Sequence, residues 1–161
     1  MKRAEGDIGV SLLECVNPRK NKWRVRWDIQ PKEDNESIVT YMEEEFDHRP
    51  TDEEIKSLVI GWHNEQIDNA ILMGMTYNGV RVWLSQENQF NYKAAYDLAV
   101  QTGGKTLPVV FKFGTDERPV YKQFTTLNEL SNFYNQAMMY IQNTLVKGWK
   151  TKDSIDFTKY R

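Results

Sequence analysis

Polar and apolar positions alternate with a period of two through the first third of this chain and with a helical period through most of the rest. In Trp23-Arg24-Val25-Arg26-Trp27-Asp28-Ile29 the alternation is strict. It predicts a strand with Trp23, Val25, Trp27 and Ile29 on one face and Arg24, Arg26 and Asp28 on the other. An apolar run over residues 8–16 precedes it, and a β-prone stretch over residues 37–42 follows the break at Pro31. Together they predict a small antiparallel meander. The acidic run Glu43-Glu44-Glu45 leaves the far end of its third strand open.

From Thr51 the pattern changes. Thr51 with Glu54, and again Thr126 with Glu129, have the spacing of a capping box, in which a hydroxyl and a carboxylate satisfy free backbone donors at a helix start. Behind the first box, Ile55, Leu58, Val59, Trp62, Ala70 and Ile71 form an apolar stripe that Gly74 is placed to end. Behind the second, Leu127, Leu130, Tyr134, Ala137, Met138, Ile141 and Leu145 keep spacings of three and four, which predicts a long helix with Ile141 and Leu145 buried, either internally or in an oligomer. Between the two lies a stretch of turns. Asn78-Gly79 supplies positive φ at little cost before a strand over residues 77–84. Ser85 then caps a helix to about Gln101, whose apolar positions Phe90, Ala94 and Leu98 predict its buried face. Residues 107–113 and 120–124, joined by a Gly-Thr-Asp-Glu-Arg-Pro turn, predict a hairpin.

The expected fold is therefore α+β, with small antiparallel sheets and three helices, the last one long. At 161 residues the chain suits one domain better than two. Two arrangements stay open. Either all strands join one sheet, or residues 1–50 form a separate meander serving as an attachment module, ahead of a helix-strand-helix-hairpin-helix domain over residues 51–161.

Composition narrows the function classes. The 21 Lys and Arg against 23 Asp and Glu remove the basic excess that nucleic-acid binding uses. The single Cys15 has no disulfide partner, no apolar run approaches the roughly 18 residues of a membrane span, and residues 1–7 lack a signal peptide's apolar core. A reducing cytoplasm is the expected setting. Catalytic candidates are few: His48 beside Pro50, and His63, to which Ser57 or Glu65 could be partners. Gly103-Gly104-Lys105-Thr106 lacks the strand and preceding glycine of a phosphate loop and reads as a helix stop. Glu43, Glu44, Glu45 and Asp47 form either a solvated acidic surface or a divalent-cation site. Trp23, Arg24, Arg26 and Trp27 mix aromatic and basic character as single-strand platforms do, yet their alternation favours tryptophans in the core and arginines in solvent. No metal or cofactor is expected. Five tryptophans and eight tyrosines are many for a core of this size, and aromatic residues are enriched at interface centres. Tyr41, Trp149 and Tyr160, at element ends or in the tail, are the candidates for partner contact; the alternative is that they cover the domain edge.

One stretch carries a resemblance. Ile71-Leu72-Met73-Gly74-Met75-Thr76-Tyr77-Asn78-Gly79-Val80, then Trp83-Leu84-Ser85 with Gln89-Phe90-Asn91-Tyr92, resembles a domain of unknown function in bacteriophage and prophage tail and tail-fibre-associated proteins. Leu107-Pro108-Val109 to Phe113, Tyr121 to Phe124 and the long helix ending at Gly148-Trp149 fit it in order, while the amino-terminal strands lie outside it. Trp83, where a small or charged residue often stands, and the fullness of the final helix depart from it. The resemblance implies a non-enzymatic phage structural or assembly protein, in the virion or host cytoplasm, whose partners are other phage structural proteins or itself. The alternative is a phage accessory protein that binds a host factor, for instance to block a defence system.

Overall fold

The structure, a computed structural model, describes residues 1–161 and is α+β. Eleven main elements follow in order: β1 (Lys2–Asp7), β2 (Leu13–Asn17), β3 (Lys22–Lys32), β4 (Asn35–Phe46), α1 (Asp52–Met73), β5 (Met75–Tyr77), β6 (Val80–Val82), α2 (Gln86–Gln101), β7 (Val109–Gly114), β8 (Pro119–Phe124) and α3 (Leu127–Asp153). The chain divides into two units, one of residues 1–62 with 154–161, the other of residues 63–153. Their boundary falls inside α1, whereas the sequence pattern places a division after residue 50.

The first unit is a four-stranded antiparallel sheet in the order β1-β4-β3-β2, separate from the other strands. Its core joins Val25 and Trp27 of β3 to Ile55 and Val59 of α1 and to Tyr160. Ile155 and Phe157 pack against the same cluster, so the carboxy-terminal residues close it. β1 has no apolar signature; it is a polar edge strand, held to β4 by backbone pairing, with charges of the kind that protect sheet edges. In β3 the expected face is kept at Val25 and Trp27 but lost at Ile29, which is exposed. Asp28 takes φ 51° and the pairing with β4 slips between Trp27 and Gln30, a bulge that reverses the side-chain alternation.

The second unit contains two hairpins, β5-β6 and β7-β8, with α2, α3 and the later part of α1. Asn78 and Gly79 have φ 48° and 79° and join β5 to β6 as a two-residue loop, so the predicted single strand is the second arm of a hairpin. Both capping boxes form. Glu54 accepts from the Thr51 amide at 2.8 Å and Thr51 Oγ1 accepts from the Glu54 amide at 3.2 Å; Thr126 Oγ1 likewise accepts from the Glu129 amide at 3.2 Å. Gly103 and Gly104, both with positive φ, end α2, and the Gly104 amide donates to Ala99 O at 2.8 Å.

The core of this unit is aromatic. Phe133 lies 5.1–5.2 Å, centroid to centroid, from Tyr77, Tyr92, Phe113 and Phe124. Tyr96 stacks on Tyr134 at 4.3 Å. These rings turn α2 so that Tyr92 and Ala99 are buried, and the expected apolar stripe of Phe90, Ala94 and Leu98 faces outward. The physical reason is size: tyrosine counts as polar in an alternation pattern, yet its ring removes more apolar area from water than alanine does. Two expectations for α3 are also corrected. Ile141 and Leu145 are half-buried rather than buried internally, and the helix continues past Gly148 to Asp153. Gly148 is a close-approach residue, since a Cβ there would lie 2.3 Å from Ile67 Cδ1.

Candidate interaction surface

Of the three aromatic candidates, the structure leaves one outside. Tyr41 is 5% exposed, because the sheet order makes residues 8–12 cross from β1 at one edge to β2 at the other, over the face that carries it. Gly6 makes room, as a Cβ there would sit 2.9 Å from the Tyr41 hydroxyl and 3.2 Å from Val10. Tyr160 is also 5% exposed and belongs to the first unit's core; burial pushes its phenol pKa up to about 12. Trp149 is 45% exposed. The expectation that Tyr41 and Tyr160 are left at the surface is thus corrected, by a crossing connection and a returning tail that no local pattern announces.

The expected solvent face of β3 is corrected too. Arg26 is 6% exposed and pairs in register with Glu43, which is 3% exposed. The guanidinium donates to Ser11 O at 2.8 Å and to Glu14 Oε2 at 2.6 Å and lies over the Tyr41 ring at 5.3 Å. Glu43 Oε2 stands 3.4 Å from Arg24 Nε and 3.7 Å from Arg26 Nε, ion-pair distances rather than hydrogen bonds. The acidic run is therefore dispersed. Glu43 faces the two arginines, Glu44 meets the amino terminus, Glu45 accepts from Arg24 at 2.5 Å, and Asp47 pairs with Lys22. No group of three or more His, Cys, Asp or Glu converges as a cation would require.

The remaining catalytic candidates are scattered. His48 Nε2 lies 2.9 Å from Glu54 Oε1 at the exposed start of α1, where Glu54 caps the helix through its other oxygen. Ser57 lines a cavity of about 460 Å³ with Met1, Glu44, Phe46, Glu54 and Leu58. Cys15 is half-buried on β2, opposite Trp23. His63 stands on α1 in the second unit.

Trp149 leads to a concavity in the second unit. It lines a cavity of about 250 Å³ with Ile67, Asp68, Leu145 and Lys152, and the Lys152 ammonium donates to Asn64 Oδ1 at 2.6 Å beside it. Asp68 and Leu145 are shared with a larger cavity of about 580 Å³, lined by Ile71, Leu72, Leu84 and Ile141 and by the polar Asn69, Ser85, Gln86 and Gln89. The shared residues make one groove along α1 and α3, possible because Gly148 lets the helices approach. Gln89 donates from Nε2 to Leu84 O at 2.7 Å and so holds the α2 start against it. Such a groove offers apolar and polar groups in comparable measure, the mixed composition of a protein or peptide contact surface. The sequence pattern contained half of this signal. Ile141 and Leu145 belong to the legible stripe of α3, and their incomplete burial marks where a stripe outlasts its own core.

No family model matches the chain, and neither a curated protein nor a solved structure does. No helix is long and apolar enough to cross a membrane.

Proposed function

We propose that this chain is a non-enzymatic bacteriophage structural or assembly protein that works by protein–protein contact, with the groove beside Trp149 as its contact surface. The observation that carries the reading is the exposed Trp149 at a groove walled by apolar and polar side chains alike, on a unit that also exposes Leu72, Met73, Val110, Tyr121 and Met139. Exposed aromatic residues at a concavity are where binding energy concentrates. The phage setting comes from the resemblance of the segment from Thr51 onward, and it is tested separately from the contact.

Mass spectrometry of purified virions is expected to find the chain, or else a pulldown from infected cells is expected to recover it with a tail protein. Trp149→Ala and Leu145→Asp should each weaken that capture at least tenfold while leaving the circular dichroism spectrum unchanged. Absence from virions with recovery of a host protein instead would transfer the chain to the accessory-protein reading. A purified chain that turns over a substrate, with activity lost on His48→Ala or His63→Ala, would overturn the non-enzymatic reading.

A further inference from the structure

Every asparagine but one in this chain precedes a residue with a side chain of its own, and most of them stand in helices, where the following amide is committed to the backbone. Asn78 precedes Gly79. The two form the loop of the β5-β6 hairpin, whose ladder closes at Tyr77 and Val80, so the Gly79 amide lies outside it. Both loop residues are exposed, no hydrogen bond holds the Asn78 carboxamide, and nothing lies within 4 Å of the position a Gly79 Cβ would take.

The chemistry open to such a pair is ring closure. Once hydroxide has taken the Gly79 amide proton, that nitrogen attacks Asn78 Cγ; the N–Cγ bond forms, the Cγ–Nδ2 bond breaks, and Nδ2 takes a proton from water and leaves as ammonia, restoring the hydroxide. A succinimide remains. Water then opens the ring, breaking either the new N–Cγ bond, to give an ordinary aspartate, or the former peptide bond, to give an isoaspartate whose chain runs through Cβ. The net change is one water taken up and one ammonia released. A side chain on the following residue crowds this closure, and glycine does not. The left-handed backbone of Asn78, φ 48°, is not itself the attacking geometry, so closure waits on local opening of the turn and the folded chain reacts more slowly than an open peptide. We propose that Asn78 is a site of spontaneous deamidation, and the asparagine through which this fold ages.

The two products differ in what they do to the fold. Aspartate accepts a left-handed φ much as asparagine does, so it keeps the loop. Isoaspartate adds a backbone methylene to a loop of two residues, and loop length sets the register between the arms. Both arms enter the aromatic core: the Tyr77 ring lies 5.1 Å from that of Phe133, and Val82 is fully buried. Isoaspartate should therefore loosen the second unit.

Incubating the full chain in mildly alkaline buffer, beside a free peptide of residues 74–84, tests the proposal. Mass spectrometry of the tryptic fragment 57–81 is expected to show NH replaced by O at Asn78 before Asn64 or Asn69, more slowly than in the free peptide, and isoaspartyl methyltransferase should label the same fragment. Gly79→Ala should slow the conversion about tenfold or more. Asn78→Asp should melt at the parent's temperature, whereas the isoaspartate form, separated by chromatography, should melt lower. An Asn78 still unchanged when the free peptide is fully converted, equal conversion at Asn64 or Asn69, or undiminished conversion in Gly79→Ala would each overturn the proposal. An isoaspartate form that melts with the parent would overturn its consequence for the fold.

Discussion

Ion pairs run through the first unit from Met1–Glu44 and Lys2–Glu43 to Arg24–Glu45, Lys22–Asp47 and Lys32–Glu5, whereas the second carries Lys93–Asp97 and Lys112–Asp116 between residues four apart in the chain. Exposed large apolar side chains are distributed the opposite way. Met1, Ile8 and Ile29 belong to the first unit, and the other ten, from Leu72 to Trp149, to the second. A sheet whose cations and carboxylates are paired with one another presents little that a partner would gain by covering. A unit that fills its core with aromatic rings and still turns Phe90, Leu98, Tyr121 and Trp149 outward has apolar area left for association. The contrast assigns stability by charge to one region and contact by apolar surface to the other, and each assignment can be broken separately.

The largest effect is expected in the second unit's core. Phe133→Ala removes the ring that touches Tyr77, Tyr92, Phe113 and Phe124 and should cost about 3–5 kcal/mol, measured by urea denaturation. In the first unit the corresponding break is electrostatic. Glu43→Ala leaves Arg26 buried with one carboxylate fewer and should cost about 3 kcal/mol, whereas replacing both, Arg26→Met with Glu43→Leu, should cost less than the single change. If the single and double variants were equally unstable, the pair would be acting by packing and the contrast between the units would weaken.

Gly79 in the β5-β6 turn and Gly74 at the end of α1 give a graded test. Gly79 has positive φ with nothing within 4 Å of a Cβ, so Gly79→Val should cost on the order of 1 kcal/mol from backbone strain. Gly74→Ala should cost more, because its Cβ would lie 1.8 Å from the Val82 carbonyl oxygen in addition to the φ of +68°. Thermal melts of the two variants would show the order, and equal melting temperatures would place both glycines in the same role.

Acid should produce the smallest effect, mostly in the first unit. Hydrogen bonds from Arg24, from Lys22 and from the Thr51 amide hold the carboxyls of Glu45, Asp47 and Glu54 below their ordinary values. A carboxyl lowered on folding contributes stability above its unfolded pKa and loses it as the pH falls through the folded one. Stability should therefore decline below about pH 4, with a slope that Glu45→Gln with Asp47→Asn flattens more than Asp116→Asn does. An equal flattening would mean that the second unit depends on its charges as much as the first.

Much of this molecule is decided within a few residues of chain, and that part is legible in the sequence. The capping pairs Thr51/Glu54 and Thr126/Glu129, the Ser85 cap, the Asn78-Gly79 turn, the Gly103-Gly104 stop and the hairpin of residues 109–124 all form, because each depends on hydrogen bonds or φ preferences between neighbours. What failed to show in the pattern depends on partners far along the chain. Arg26 is internal because Glu43 and Glu14 come beside it from two other strands, and Tyr41 because residues 8–12 cross above it. Tyr160 is internal because the chain end returns to Val25 and Ile55. The outward face of α2 is decided the same way: Phe90, Ala94 and Leu98 share a ridge by helical period alone, but only Phe111, Phe113 and Phe133, gathered around Tyr92, determine that this ridge points to solvent. A sequence specifies which side chains share a face; which of two amphipathic faces is buried follows from the competing area that tertiary neighbours cover.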